Sequence, residues 1–158
     1  MTVDRMIDEV DLKILGILQA DGRTSHAELA RQVGLVASAV HERVKKLEER
    51  GILRGYSARL DPAALGQRLL AFVFLKAEEV GSDNEVATAL AQIPEVLEVH
   101  HVAGEDCYLA KVRTADTESL GRLIRERFRA IPQVHSTRST IVLETVKEEL
   151  ALPLPSPP

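Results

Sequence analysis

The chain has 158 residues, 45% of them hydrophobic and 28% charged, which is globular composition with room for one ordinary domain or two small ones. Collagen, coiled-coil rods and wholesale disorder are excluded. The longest uninterrupted apolar run, 69–75, falls far short of the ~20 residues that span a bilayer, and Asp4-Arg5 does not open a basic-then-apolar leader, so a cytoplasmic protein is expected. A single cysteine, Cys107, closes no intrachain disulfide and offers no thiolate cluster for zinc; the fold must stand on its apolar core in a reducing compartment. Net charge is −4, but it is unevenly spread: residues 1–60 sum to +1, residues 61–158 to −5, and the stretch 31–59 alone to +4. Because fields are screened over about 10 Å at 0.1 M salt, that local basic stripe decides what nearby phosphates experience.

Val10, Ile14, Leu15 and Leu18 recur at helical spacing behind Asp8, Glu9 and Asp11, whose charges suit a helix N-terminus, and Asp21-Gly22 ends this first helix. Ser25-His26-Ala27-Glu28 then reads as a capping box opening a short second helix that stops at Gly34. After a three-residue turn, Val40, Val44 and Leu47 mark the buried stripe of a third helix ending near Arg50-Gly51, and 52–60 reads extended. Asp61-Pro62 and Gly66 form a turn, taken as a hinge over 61–68. Beyond it the pattern predicts a strand at 69–76, a helix at 83–92, strands at 96–102 and 107–113 around a Gly104-Glu105-Asp106 turn, a helix at 117–130 and a last strand at 134–146. Ile93-Pro94-Glu95-Val96 and Ile131-Pro132-Gln133-Val134 repeat at the two helix-to-strand junctions, as the two halves of a split β-α-β unit would, although Ile-Pro is also an ordinary helix terminator. The expectation is therefore an α+β chain: a winged helix-turn-helix domain over 1–60, a ferredoxin-like β-α-β-β-α-β domain over 69–150, and a disordered proline-rich tail over 151–158.

In a winged helix-turn-helix reader the third helix is the one that meets DNA. Projected at 100° per residue, Ser38, His41, Glu42, Lys45 and Lys46 lie away from the buried stripe. Ser38, His41 and Glu42 are placed to touch base edges, where Ser and His donate or accept and Glu accepts from cytosine. Arg43, Lys45, Lys46, Arg50, Arg54 and Arg59 can neutralise phosphates, giving affinity without sequence information. An ordinary solvated helix end would carry the same charges. In the second domain, Ala71, Val73 and Leu75 point one way and Phe72 and Phe74 the other, so the sheet has two apolar faces while helices cover only one. Either the three-helix domain of the same chain packs on the uncovered face or, as expected, two sheets dimerise there, presenting two reader helices to half-sites ~34–36 Å apart or a multiple of that.

The run Ser38-Ala39-Val40-His41-Glu42-Arg43-Val44-Lys45-Lys46-Leu47-Glu48 with Gly51-Ile52-Leu53 closely resembles the helix-turn-helix of Lrp/AsnC-type, or feast/famine, transcriptional regulators, and Asp11-Leu12-Lys13-Ile14-Leu15, Asp21-Gly22-Arg23 and Gly55-Tyr56-Ser57-Ala58 fit it too. Val102-Ala103-Gly104-Glu105-Asp106-Cys107-Tyr108-Leu109 resembles that family's effector-binding domain, so the likeness covers about residues 5–148. One departure stands out: the family usually begins its recognition helix with Ser-Pro, whereas this chain has Val36-Ala37, so either Ser38 takes over the cap or the first turn frays.

The resemblance implies a sequence-specific double-stranded DNA-binding regulator, a homodimer assembling to a tetramer or octamer, and a small effector, generally an amino acid, held between dimers near the Gly104 turn. Gly104 would let a carboxylate approach the backbone, Glu105 or Asp106 would accept from an ammonium, and Ser136, Thr137, Ser139 and Thr140 would add hydroxyls, although Gly-Glu-Asp is also an ordinary hairpin connection. No cofactor is expected. His100 and His101 are adjacent strand residues facing opposite ways, which disfavours a shared metal. The rival is a sirohaem decarboxylase-like enzyme on the same two-domain architecture, against which an intact basic reader helix argues.

Overall fold

The computed structural model describes residues 7–78 and 85–155. They form two compact units: the residues up to Arg59 together with those from Lys147 onward, and the stretch Leu60–Val146.

The first unit holds three helices, α1 (Glu9–Ala20), α2 (His26–Val33) and α3 (Ala37–Glu49). Their apolar stripes meet in one core of Ile14, Leu15, Leu18, Leu29, Ala30, Val40, Val44 and Leu47, as the helical spacing requires. Between α2 and α3 the chain reverses at Gly34, whose φ of +72° is a left-handed C-cap conformation that a side chain would strain. The reciprocal capping box forms at the start of α1, where Asp8 accepts from the Asp11 N–H at 2.8 Å and Asp11 accepts from the Asp8 N–H at 3.2 Å. At α2 only half of the expected box is made: Ser25 accepts from the Glu28 N–H, but the Glu28 carboxylate turns to Arg31 and Gln32. Nor does Ser38 replace the missing cap of α3, which starts after Val36 with no side-chain cap bond.

Two further expectations need correction. Residues 54–60 are not paired into any strand, so among the described residues the helices carry no hairpin that would make a wing. Residues 151–155 are not a free tail: the Gln19 side-chain amide donates to the Leu152 carbonyl at 3.1 Å and accepts from its N–H at 2.7 Å, and Leu154 packs on the helical core. A proline-rich stretch without periodicity is thus held by a side-chain amide and by one half-buried leucine. Residues 156–158, the rest of that predicted tail, lie outside the described residues.

The second unit is a four-stranded antiparallel sheet of β1 (Leu69–Ala77), β2 (Val96–His101), β3 (Tyr108–Thr114) and β4 (Val134–Ile141), in the order β2-β3-β1-β4. Helices α4 (Glu85–Ala91) and α5 (Thr117–Leu123), the latter continued by a π-helical turn at Ile124–Phe128, pack on the face carrying Ala71, Val73, Leu75, Ala110 and Val112. Positions 83–84 of the predicted helix fall outside the described residues. Both Ile-Pro junctions make the same turn: Val96 N–H donates to the Ile93 carbonyl and Val134 N–H to the Ile131 carbonyl, each at 3.0 Å. The last strand stops short of the expected 146 because its partner ends; Ala71 faces Ile141, and beyond a final bond from Val142 N–H to the Leu70 carbonyl there is little of β1 left to pair.

What turns α3 in the first unit is a charge cluster. Asp11, only 8% exposed, and Asp8 both accept from Arg43 Nη1, at 2.8 and 2.7 Å. An Arg43→Ala substitution is expected to destabilise this unit by about 1–2 kcal/mol in urea titrations, because it strands a largely buried carboxylate. The Asp11 N–H, and after it Arg43, hold the Asp8 carboxyl below its usual 3.8, so its contribution is complete above that value and is lost as pH falls through the lowered one. The wild-type advantage over R43A should therefore persist from pH 7 to about 4 and shrink below it.

Candidate functional site

With Val40, Val44 and Leu47 buried, the opposite side of α3 exposes Ser38, His41, Glu42, Lys45 and Lys46. This is the face predicted from sequence, and it is polar and mostly basic. Lys45 stands 3.8 Å from Glu49, an exposed i,i+4 pair of small energetic weight. Lys46 has no ion-pair partner among the described residues, and Arg50 caps the C-terminal end of α3 through its N–H to the Lys46 carbonyl.

The remaining predicted phosphate ligands are not equivalent. Arg43 is committed to Asp8 and Asp11, whose hydrogen bonds raise its own proton affinity further. Arg54 folds back on the Gly51 carbonyl at 3.4 Å. Arg59 donates to the Glu148 carbonyl at 2.9 Å and lies 3.8 Å from the Glu149 carboxylate. The structure thus groups Ser38, His41, Glu42, Lys45 and Lys46 on one open face and ties Arg43, Arg54 and Arg59 to partners within their own unit.

Sequence reasoning missed two neighbours of this face. His26, the first residue of α2, places its Nδ1 3.3 Å from that of His41. Tyr56 donates to Glu48 at 3.2 Å and packs beside Gly22; burial, then the Glu48 carboxylate, pushes its phenol up from the usual 10.0. No periodicity links residues so far apart. The packing of the second and third helices, once assumed, would have pointed to His26, but not to Tyr56, which lies beyond α3.

In the second unit the Gly104 turn joins β2 to β3 with φ of +152° at Gly104, and a Cβ there would meet no atom within 4 Å. The two acids beside it are already paired: Glu105, 87% exposed, accepts from Lys76 at 3.0 Å, and Asp106, 15% exposed, from Arg138 at 2.8 Å. Arg138 also lies over the Phe74 ring, 4.1 Å from its centroid. The four hydroxyls proposed beside the turn do not converge. Register puts Ser136 and Thr140 opposite Lys76 and Phe72 on the open face, and Thr137 and Ser139 opposite Leu75 and Val73 on the helix-covered one. That division follows from strand alternation, and only the pairing decides which residue goes where.

The open face also carries Leu109 and a small ionic group in which Glu98 accepts from His100 at 3.2 Å and Lys111 at 3.1 Å, which together hold its carboxyl below the usual range. His101 points the other way and stacks on Tyr108 at 5.0 Å.

The AsnC-type helix-turn-helix family model matches residues 7–48 and the Lrp/AsnC ligand-binding-domain model matches residues 70–152. An HTH-type transcriptional regulator, FL11 of Pyrococcus horikoshii, is 40% identical over 148 residues, covering 94% of this chain and 97% of its own. Among solved structures, the feast or famine regulatory protein of Mycobacterium tuberculosis complexed with L-methionine is 39% identical with a TM-score of 0.86, covering 94% of this chain and 99% of its own. A transcriptional regulator of Neisseria meningitidis in complex with L-Met has 31% identity and a TM-score of 0.85, covering 92% and 96%. These relatives are named as regulators, a non-enzymatic role, and among the described residues no helix is long and apolar enough to cross a membrane. Matched along both halves by sequence and by fold, the chain belongs to the Lrp/AsnC family of transcriptional regulators.

Proposed function

We propose that this regulator binds double-stranded DNA through the outer face of α3 and responds to an amino acid. The carrying observation is the open polar and basic surface of α3, set in a helix-turn-helix whose apolar stripe is fully used by its own core. Ser38, His41 and Glu42 approach base edges; Lys45, Lys46 and Arg50 hold phosphates. Arg43 belongs to the frame, and Arg54 and Arg59 contribute only by leaving their present partners. The reader comprises residues 1–60 joined by the returning segment from Lys147 onward, a hinge covers 61–68, the effector domain, expected over 69–150, closes at Val146, and the protein works in the cytoplasm.

A second copy covers the open sheet face. Phe72, Phe74 and Leu109 are half-buried there, with no helix of their own unit above them. Two readers so joined address a pseudo-palindromic site, and dimers assemble further to tetramers or octamers.

For the effector, two relatives solved with L-methionine support an amino acid. Gly104 offers close backbone approach to a carboxylate, and Glu105, the more exposed of the two acids, exchanges Lys76 for the ligand ammonium. Ser136 and Thr140 share the open face; Thr137 and Ser139 do not, so they line the ligand only from the sheet edge that β4 forms. The effector acts by differential affinity for two assembly or DNA-bound states.

Fragments selected from random duplexes provide the DNA test. Lys45→Ala and Lys46→Ala should weaken binding to all sequences alike and reduce the slope of log K against log salt by about 0.9 for each phosphate no longer neutralised. Ser38→Ala and Glu42→Ala should change the ranking of sequences by about 1–3 kcal/mol per affected base pair. Uniform effects from all four changes would contradict the division of roles. Calorimetry with a panel of amino acids tests the effector: an apolar member such as methionine should bind, and Gly104→Ala, whose Cβ would project into the open space by which a carboxylate nears the backbone, should weaken it about tenfold, ~1.4 kcal/mol. Absence of binding and of any change in DNA affinity across the panel would defeat that part.

A further inference from the structure

The helix-turn-helix brings together two imidazoles that lie 15 positions apart in the chain. His26 opens α2, and His41 lies in the second turn of α3. Their ring centroids are 5.1 Å apart, with the planes inclined at 57°, and their Nδ1 atoms are separated by 3.3 Å. That spacing lets one ring donate to the other when no metal is present. It matches the ~3.3 Å edge between two nitrogens that bind one tetrahedral Zn²⁺ at ~2.0–2.1 Å. Both residues are exposed, so a cation reaches the pair without opening the core. The other histidines offer no such pair: His100 bonds Glu98, His101 stacks on Tyr108 from the opposite side of the strand, and His135 lies 3.6 Å from Glu78.

We infer that His26 and His41 form a two-imidazole site for a borderline divalent cation of the Zn²⁺, Ni²⁺ and Cu²⁺ class, for which neutral imidazole is a preferred ligand. Among the described residues, no group of three or more His, Cys, Asp or Glu side chains is placed to hold a metal. The remaining coordination positions therefore fall to ligands from outside the chain. The metal site stands on the ring geometry alone; its consequence rests on the reading of α3 as the DNA-facing helix, because there a phosphate oxygen or a purine N7 completes the shell and the bound cation strengthens attachment to the duplex.

Metal-stripped full-length protein titrated with Zn²⁺ tests the site, with calorimetry giving stoichiometry and long-range nitrogen-proton NMR reporting the ring nitrogens. Wild type should bind one Zn²⁺ per chain more than either His26→Ala or His41→Ala, and the Nδ1 resonances of both rings should move together; unchanged circular dichroism verifies that the variants fold. Equal stoichiometry and affinity in all three proteins would overturn the proposal, as would movement of only one ring. Gel shifts on a mixed-sequence duplex, in EDTA and in Zn²⁺, separate the two readings. Tighter binding in Zn²⁺ by wild type and not by His26→Ala supports the full proposal, whereas Zn²⁺ bound at the pair by a protein that shifts no DNA under either condition upholds the metal site and removes the DNA reading.

Discussion

The bond between Arg43 and the Asp8 and Asp11 carboxylates is the constraint on which the reader surface depends. A helix held only by Val40, Val44 and Leu47 is fixed in position but retains some freedom to roll, because apolar contacts are non-directional. Arg43 lies beside that stripe, and its guanidinium reaches two acids on the first turn of α1, one of them largely buried. The capping box at the same two acids fixes their own orientation. Roll is thereby restricted, and the side chains left facing outward are Ser38, His41, Glu42, Lys45 and Lys46. One arginine of the basic run, drawn onto two acids of its own unit, thus helps set which side chains of α3 face outward.

Much of this was legible in the sequence, for identifiable reasons. Helical spacing in α1 and α3 and alternation in β1 are strong, local periodic signals, and the buried positions follow them. The Ile-Pro repeat marked both helix-to-strand turns. Other features depend on partners that sequence distance conceals. Arg43 read as one more cation in a basic run because its acids lie 32 and 35 positions away. Glu28 read as half of a capping box because the spacing fits, yet Arg31 and Gln32 compete for the same carboxylate and lower it to about 2. The four β4 hydroxyls looked like one group until register divided them between two faces. Residues 151–155 read as disordered by composition, whereas Leu152 is held by a side-chain amide, Gln19, that no local rule would pair with it.

The two units carry different chemistry. In the reader unit, Lys45 and Lys46 share the exposed helix face with Glu42, and Lys46 has no ion-pair partner among the described residues, while Arg43, Arg54 and Arg59 are held by partners of their own. Around the Gly104 turn the charges are instead matched one to one, Lys76 with Glu105 and Arg138 with Asp106. A zwitterionic ligand suits such a place, because it can exchange with an existing ion pair without leaving a net charge uncompensated. That logic favours an amino acid over a simple anion or cation as effector. Asp106 is the less exposed of the two acids and is tied to an arginine stacked on Phe74, whereas Glu105 stands open to solvent beside Lys76.

The central claim is that the face of α3 turned outward by the Arg43 clamp enters a groove of the duplex. Because Cys107 is the single cysteine, replacing it with serine leaves a background in which a cleavage reagent, an iron chelate, can be attached at one chosen position. With Ser38→Cys as that position, the account predicts strand breaks confined to a few adjacent base pairs within each half of a bound site. Intact DNA under conditions in which the same conjugate remains bound to it would contradict the account.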